Sequence, residues 1–263
     1  VLTDLAESLL KENRDLDALV SSLPDWGRET PFFAWTIRDQ ILHLRQVDEF
    51  GLTSMRDPDE FDAIFRDVRR QQAAGIELSE QARRAAVHLT EGEILAAWRK
   101  TYEAIVERFR ASDPKARMTW FGPDMSLMSF AAARQMEVWA HGQDIYDLLG
   151  LPRQPTDRLR NICDLGVRTF AWSFRNRGQE PPDPPDVTLD APSGGTWHWA
   201  GAPNGGMIRG SALDFALVVT QRRPVEDTLL EAHGEGARLW LEIAQCFAGA
   251  PQARSAPGSR PRL

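Results

Sequence analysis

The chain has 263 residues, 42% of them hydrophobic and 26% charged, with a formal net charge of −7; this excludes a largely disordered protein and leaves room for one large or two small domains. Acidic residues outnumber basic ones, and the arginines gather only into pairs such as Arg69-Arg70, Arg83-Arg84 and Arg222-Arg223, so no nucleic-acid partner is expected. No apolar run is long enough to span a bilayer, and the acidic, amphipathic opening lacks the pattern of a secretory leader, so no membrane partner and a cytoplasmic location are expected. Cys163 and Cys246 support neither a disulfide framework nor an all-cysteine zinc site.

Leu5, Leu9, Leu16, Leu19 and Val20 keep helical spacing, which predicts a first amphipathic helix over 2–22. Pro24 and Pro31 break the pattern, Thr36 offers an N-cap oxygen, and Ile37, Ile41 and Leu44 begin a second helix with His43, Val47 and Phe50 on a flanking face. Residues 58–88 are charged and weakly periodic and predict shorter helices or an excursion. Thr90 with Glu93 forms a capping box that leads into Ile94, Trp98, Tyr102, Ile105 and Phe109, a third long helix. A loop containing TWFGPDMS follows, then a helix from Ser129 to Leu149 closed by Gly150 and Pro152. Four long helices with mixed connections suggest a bundle over 1–153.

Beyond residue 153 a further helix is expected over DRLRNICDLGVRTFAWSFRNRG, then a stiff PPDPPD linker at 181–186. VTLDAP, GTWHWA and GMIRG predict strands of a small antiparallel sheet, and two more helices are expected at Ser211–Arg222 and Glu235–Phe247. The expected architecture is mainly α, a four-helix bundle followed by a small α+β domain over 154–250. The Pro/Ser/Arg-rich residues 251–263 are expected to be a disordered tail.

Within the last bundle helix Arg134, Glu137, His141 and Asp144 share one stripe, while Met136, Val138, Trp139, Ile145, Tyr146 and Leu149 fill the other sides. A helix this apolar is expected to be buried, and unpaired ionisable groups on it would cost several kcal/mol or more by order of magnitude. Glu137 and His141, four residues apart, can converge on one cation, with His43 of the second helix as third ligand and a coordination position left open. Asp144 or Asp39 is a candidate acceptor for a ligand imidazole. The bland alternative is a solvated polar face or a hydrogen-bonded core histidine, and the spacing alone favours it. His88, His198 and His233 are read as structural or exposed, and Arg134 as paired with an acidic residue on its own helix or clamping a substrate carboxylate.

The segments WTIRDQILHL (35–44) and WFGPDMSLMSFAAARQMEVWAHGQDIYDLLG (120–150) resemble the DinB-like metal-binding bundles, and specifically the branch of mycothiol-dependent maleylpyruvate isomerase and its actinobacterial relatives. The resemblance implies a divalent metal, Zn2+ by preference, on His43, Glu137 and His141, with mycothiol as co-substrate. VTLDAPSGGTWHWAG, GMIRGSALDFALVVTQRRPVEDT and WLEIAQCFAG are similar to the sterol-carrier-protein-like domain often fused to such bundles. An arginine of that domain serves the family reaction; Arg222 or Arg223 is the candidate, with Arg209 also available. The resemblance also puts Trp35, the Trp120-Phe121-Gly122-Pro123 loop and Ser126 beside the triad as pocket residues. The expected function is metal-dependent activation of a low-molecular-weight thiol for isomerisation or S-transfer on a small electrophilic metabolite, by a monomer or homodimer. Thiol-independent Lewis-acid or metal-bound-water chemistry is the enzymatic alternative, and a ligand-binding module with a structural metal is the other.

Overall fold

The structure, a computed structural model, describes residues 2–121 and 124–261. It is mainly helical and divides into two compact units between Ile145 and Tyr146, not at residue 153. The division falls inside a helix.

The first unit holds α1 (Leu2–Ser21), α2 (Ile37–Arg56), α3 (Pro58–Ala73), α4 (Leu78–Ala85), α5 (Glu91–Arg110), the two-residue strands β1 (Arg117–Met118) and β2 (Met125–Ser126), and most of α6 (Leu127–Leu149). The two predicted start signals are present. Thr36 accepts from Asp39 N at the head of α2, and the Asp39 carboxylate accepts from Thr36 N at 2.9 Å; Thr90 and Glu93 make the same reciprocal pair for α5. The short antiparallel ladder Arg117↔Ser126 and Met118↔Met125 lies where only a loop was predicted, because two residues are too few to show alternation.

Side-chain pairs fix the helix directions. Gln40 with His141, His43 with Glu137, Asp48 with Arg134 and Gly51 with Phe130 run in opposite senses along the chain, so α2 and α6 are antiparallel. Glu7 with Arg110 and Asp17 with Arg99 make α1 and α5 antiparallel. Gly51 against Ile105 and the Met55 carbonyl against Arg108 make α2 and α5 parallel. Parallel neighbours need a long return crossover, and α3 and α4 supply it. Their weak periodicity reflects that role: Phe61 and Val68 are the only fully buried apolar residues of α3.

The second unit contains α7 (Leu159–Arg168), α8 (Phe170–Arg175), β3 (Asp186–Asp190), β4 (Thr196–Trp199), β5 (Met207–Ser211), α9 (Ala212–Val219), β6 (Glu231–His233) and α10 (Glu235–Ile243). The single helix predicted over 157–178 is broken at Thr169, whose hydroxyl donates back to the carbonyls of Leu165 and Gly166 at 2.8 and 3.0 Å. The sheet order is β4-β3-β5-β6, and β3 pairs with β5 in parallel, so the sheet is mixed rather than antiparallel. The alternation of Val187, Leu189 and Ile208, all fully buried, marks strands and their inner face but carries no information on partner direction. Trp240 packs edge-on against Phe170 and Phe215 at 5.0 and 5.7 Å. Residues 251–261 have no helix or strand, yet they are not the free tail expected. Arg254 pairs with Glu226, Gln252 N donates to Gln245 Oε1 at 3.2 Å, and buried Arg260 pairs with Asp147 at 3.1 Å. Among the described residues, no helix is long and apolar enough to cross a membrane.

Two stability predictions follow from the bundle. A Cβ at Gly51 would lie 2.5 Å from two ring carbons of Phe130, a ring itself confined by Trp120 at 4.6 Å and Phe109 at 6.0 Å. Gly51→Ala is therefore expected to lower stability in urea unfolding, because overpacking costs about 1–3 kcal/mol against a helix-propensity gain of about 1 kcal/mol. Asp17 accepts from Arg99 twice at 2.6 Å and from Tyr102 at 2.9 Å. Burial pushes its carboxyl pKa up, but these bonds and that from Ser21 outweigh burial and hold it below the ordinary 3.8. The stabilisation is thus fully present above the unfolded value and is lost as pH falls through the depressed folded one. Asp17→Asn is expected to cost about 1–3 kcal/mol at neutral pH, with the gap to the parent closing as unfolding is repeated below about pH 4.

Candidate metal centre

The antiparallel register of α2 and α6 brings His43, Glu137 and His141 to one place. The two imidazole Nε2 atoms approach the same carboxylate oxygen, Glu137 Oε2, at 3.1 Å from His43 and 3.2 Å from His141. One ligand atom from each residue lies within 4.8 Å of the others, and the set is the one such His/Cys/Asp/Glu group among the described residues. His141 is buried, whereas the side chains of His43 and Glu137 keep 16% and 25% of their surface. The cluster is therefore closed behind His141 and open beside the other two. Desolvation pushes the Glu137 carboxyl pKa up, but hydrogen bonds and charge from His141 and His43 prevail and hold it well below the usual carboxylate range.

A chain of hydrogen bonds sets the proton positions. Thr30 Oγ1 donates to the Trp35 carbonyl at 2.8 Å, so its oxygen accepts from Gln40 Nε2 at 2.8 Å. Gln40 Oε1 then accepts from His141 Nδ1. A neutral His141 that carries its proton on Nδ1 has a lone pair on Nε2, and that lone pair faces Glu137 Oε2. Two lone pairs cannot rest against each other at this distance without a proton or a cation to share. The donor set of two imidazoles and one carboxylate fits a divalent transition metal with an open position. On the other side His43 Nδ1 is buried without a hydrogen-bond partner, and its ring is oriented by packing against Trp35 at 5.3 Å and His141 at 4.8 Å.

The turn before α2 walls the cluster. Trp35 stacks on His141 with ring centroids 5.8 Å apart and planes 4° from parallel, and Phe32 stands edge-on to the same imidazole at 5.2 Å. Phe33 and Ala34 both have positive φ, 49° and 55°, a region that costs a non-glycine residue roughly 1 kcal/mol or more. Trp35 was expected at the site. Phe32, Thr30 and Gln40 were not, although Gln40 stands three residues before His43 and so shares its helix face.

The other expected residues fall differently. Asp144 is fully buried with Oδ2 3.7 Å from His141 Nδ1, beyond hydrogen-bond range. Asp39 is no acceptor for the imidazoles, since it is taken up by the Thr36 capping box and by Arg83 at 2.8 Å. Arg134, 1% exposed, pairs with no acid of its own helix: Nε donates to Asp48 Oδ1 at 2.7 Å and Nη2 to the Leu44 carbonyl at 3.2 Å. Ser126 accepts from Ser129 N at 3.1 Å, and lies eleven residues before Glu137, about 16 Å along α6. Trp120 packs on Phe61 and Phe130 at 5.7 and 4.6 Å, within a cluster that includes Phe50, Phe65 and Phe121. Phe50 and Phe130 are each two turns of helix from the triad residue on their own element, so Trp120 and Phe121 fill an aromatic core away from it. Gly122 and Pro123 lie outside the described residues. In the second unit Arg223 makes a two-point pair with Asp147 at 2.7 Å and Arg222 donates to the Thr220 carbonyl at 2.8 Å; both are buried. Arg209 is the exposed arginine of the three. His198 pairs with Asp186 at 2.8 Å on the exposed sheet face.

A helical bundle that gathers two histidines and a glutamate between antiparallel helices defines the class, a bundle with a candidate metal centre in its core. The chain belongs to the family of the mycothiol maleylpyruvate isomerase N-terminal domain, whose family model matches residues 9–146. It is 41% identical over 246 residues to uncharacterized proteins from two strains of Mycobacterium tuberculosis, covering 92% of this chain and 95% of theirs. The crystal structure of a histidine-to-alanine mutant of the mycothiol-dependent maleylpyruvate isomerase shares the fold, with a TM-score of 0.53 and 13% identity over 88% of this chain and 92% of that one.

The Arg134–Asp48 pair beside the triad yields a stability prediction. Both side chains are 1% exposed, and burial is the main influence raising the Asp48 carboxyl pKa, with Arg134 opposing it. Arg134→Met strands a buried carboxylate and is expected to cost about 3–5 kcal/mol in denaturant unfolding at neutral pH. Arg134→Met with Asp48→Leu is expected to regain most of that loss; a double variant as unstable as the single one would contradict this account.

Proposed function

We propose that the chain is a divalent-metal-dependent enzyme that activates a low-molecular-weight thiol of the mycothiol type for isomerisation or S-transfer on a small electrophilic metabolite. The observation that carries this reading is the approach of two Nε2 atoms to one carboxylate oxygen, with the proton of His141 drawn off to Nδ1. Membership of the mycothiol maleylpyruvate isomerase family supports the thiol and the isomerase chemistry.

The chain's own sulfur atoms suit the role poorly. Cys163 is fully buried, its thiol pKa pushed up mainly by that burial, and Cys246 is buried as well, so the sulfur is proposed to arrive on a co-substrate. A divalent cation, Zn2+ by preference, held by His43, Glu137 and His141 would supply a net positive charge that favours the thiolate at neutral pH. Around it Trp35 and Phe32 exclude water on the His141 side, and Gln40 holds the proton on His141 Nδ1. The partly exposed flank of His43 and Glu137 leaves the approach for thiol and electrophile. Isomerisation then consists of sulfur addition to an activated C=C bond, rotation about the resulting single bond, and departure of the same thiolate with restoration of the double bond. S-transfer stops with the sulfur attached. Within the second unit Arg209 is exposed on β5 and so more accessible to an anionic ligand than the buried Arg222 and Arg223.

Elemental analysis of the purified protein after metal supplementation is expected to give about one divalent metal per chain. His43→Ala and His141→Ala are expected to lose it while helical circular dichroism is retained. In a cobalt-substituted protein the visible bands are expected to shift on adding mycothiol and not on adding its sulfur-free analogue. Absence of stoichiometric metal would overturn the reading. A loaded site blind to the thiol would shift it to metal-bound-water or Lewis-acid chemistry.

A further inference from the structure

We propose that Gln40 is the positioning residue of the centre: it fixes the Nδ1–H form of His141 and, through Thr30, ties that ring to the aromatic turn 31–35. The metal half of the consequence rests on the reading of His141 as a ligand; the proton half does not.

Three linked bonds leave one assignment. The Thr30 hydroxyl has a single proton, and it goes to the Trp35 carbonyl at 2.8 Å. Its oxygen therefore receives the Gln40 amide NH2 at 2.8 Å, which turns Gln40 Oε1 toward His141 Nδ1. Gln40 is fully buried on α2, so no water competes for these contacts. The rival partner, Asp144 Oδ2, stands 3.7 Å from Nδ1, and Asp39 is engaged with Thr36 and Arg83. His43 has no such partner at Nδ1, so the orienting hydrogen bond acts on one of the two imidazoles.

The same amide braces the turn that carries the stacked Trp35. Phe33 and Ala34 sit in the left-handed region with φ of 49° and 55°, and Phe33 is 66% exposed. Such a conformation persists only where its surroundings over-determine it. Thr30 does so twice, with its backbone N donating to the Trp35 carbonyl at 2.7 Å and its hydroxyl donating to the same oxygen. Gln40 holds Thr30. Occupation of His141 Nε2 and ordering of the turn are thereby coupled through one side chain, and the coupling is reciprocal.

Nitrogen-15 spectra of histidine-labelled, metal-free protein test the proton half. His141 is expected to be protonated at Nδ1 in the parent, whatever proton Nε2 shares with Glu137 once the cation is absent, and in Gln40→Glu, which keeps an acceptor; in Gln40→Leu, where Glu137 becomes the better acceptor, it is expected as the Nε2–H form with a bare Nδ1. In Thr30→Val, which takes away the oxygen that orients the Gln40 amide, the Nδ1–H form of His141 is expected to lose population, while amide exchange at Trp35 speeds up. Chelator competition is expected to show metal affinity falling about 10–100-fold in Gln40→Leu and recovering in Gln40→Glu, with circular dichroism as the check on folding. An Nε2–H His141 with a bare Nδ1 in the parent overturns the proposal without any variant, as does an unchanged form in Gln40→Leu or an unchanged Trp35 amide in Thr30→Val. A parent protein that binds no metal while the spectra behave as expected refutes the metal reading and leaves the role of Gln40 standing.

Discussion

The antiparallel register of α2 on α6 is the constraint on which the rest depends. A single alignment sets Gln40 against His141, His43 against Glu137, Asp48 against Arg134 and Gly51 against Phe130. Each pair places polar or bulky groups where solvent cannot compensate an error. Sliding one helix by a turn would leave a buried arginine and a buried aspartate without partners, at a cost of several kcal/mol. It would also drive the Phe130 ring against side chains larger than glycine. The ion pair and the glycine thus lock the alignment from one end, and the triad follows from it.

The same register explains why α6 is apolar on most sides yet carries a polar stripe. Phe130, Ala131, Val138 and Ala140 are buried, as are Arg134, His141 and Asp144, so apart from the partly exposed Glu137 the stripe faces protein and not water. Its charges must be met by specific partners. Arg134 meets Asp48, His141 meets Gln40, and Glu137 meets both histidines. The last arrangement is the one that hydrogen bonding among the chain's own groups leaves unresolved, because the proton that would relieve it at His141 is already engaged on the other ring nitrogen.

Much of this was legible in the sequence wherever the signal was local. Thr36 and Thr90 announced their helices because capping chemistry spans only three residues, and the four-residue spacing of Glu137 and His141 put both on one face. His43 could be named because it lies on an amphipathic helix of the same bundle, but its pairing needed the resemblance, since spacing carries no register between distant helices. What escaped was non-local. The partner of Arg134 is 86 positions away in the chain, and nothing on its own helix points to it. Trp120 was expected at the pocket because the resemblance put its loop beside the triad, yet it packs with Phe61 and Phe130 near the start of α6, some ten residues of helix before Glu137. The mixed sheet and the break at Thr169 escaped for the same physical reason: strand alternation is blind to partner direction, and a threonine hydroxyl that turns back on its helix looks no different in sequence from one that caps it.

The two histidines are unequal, and that inequality gives the centre a direction. His141 is buried, stacked under Trp35 and hydrogen-bonded through Gln40 to the turn that carries that tryptophan. His43 is partly exposed, held by ring packing and by its Nε2 contact with Glu137, with no bond at Nδ1. A ring stacked under Trp35, met edge-on by Phe32 and hydrogen-bonded at Nδ1 has little freedom left to lose when a ligand arrives, whereas the His43 ring, without a bond at Nδ1, is held by fewer contacts. The more tightly held ring thus lies on the closed side of the cluster, and His43 and Glu137 lie where the side chains keep their remaining exposure. Strain at Phe33 and Ala34 fits this division of labour: the backbone is forced into an unfavourable turn on the closed side, where the stacking of Trp35 on His141 and the Gln40–Thr30 chain hold it in place.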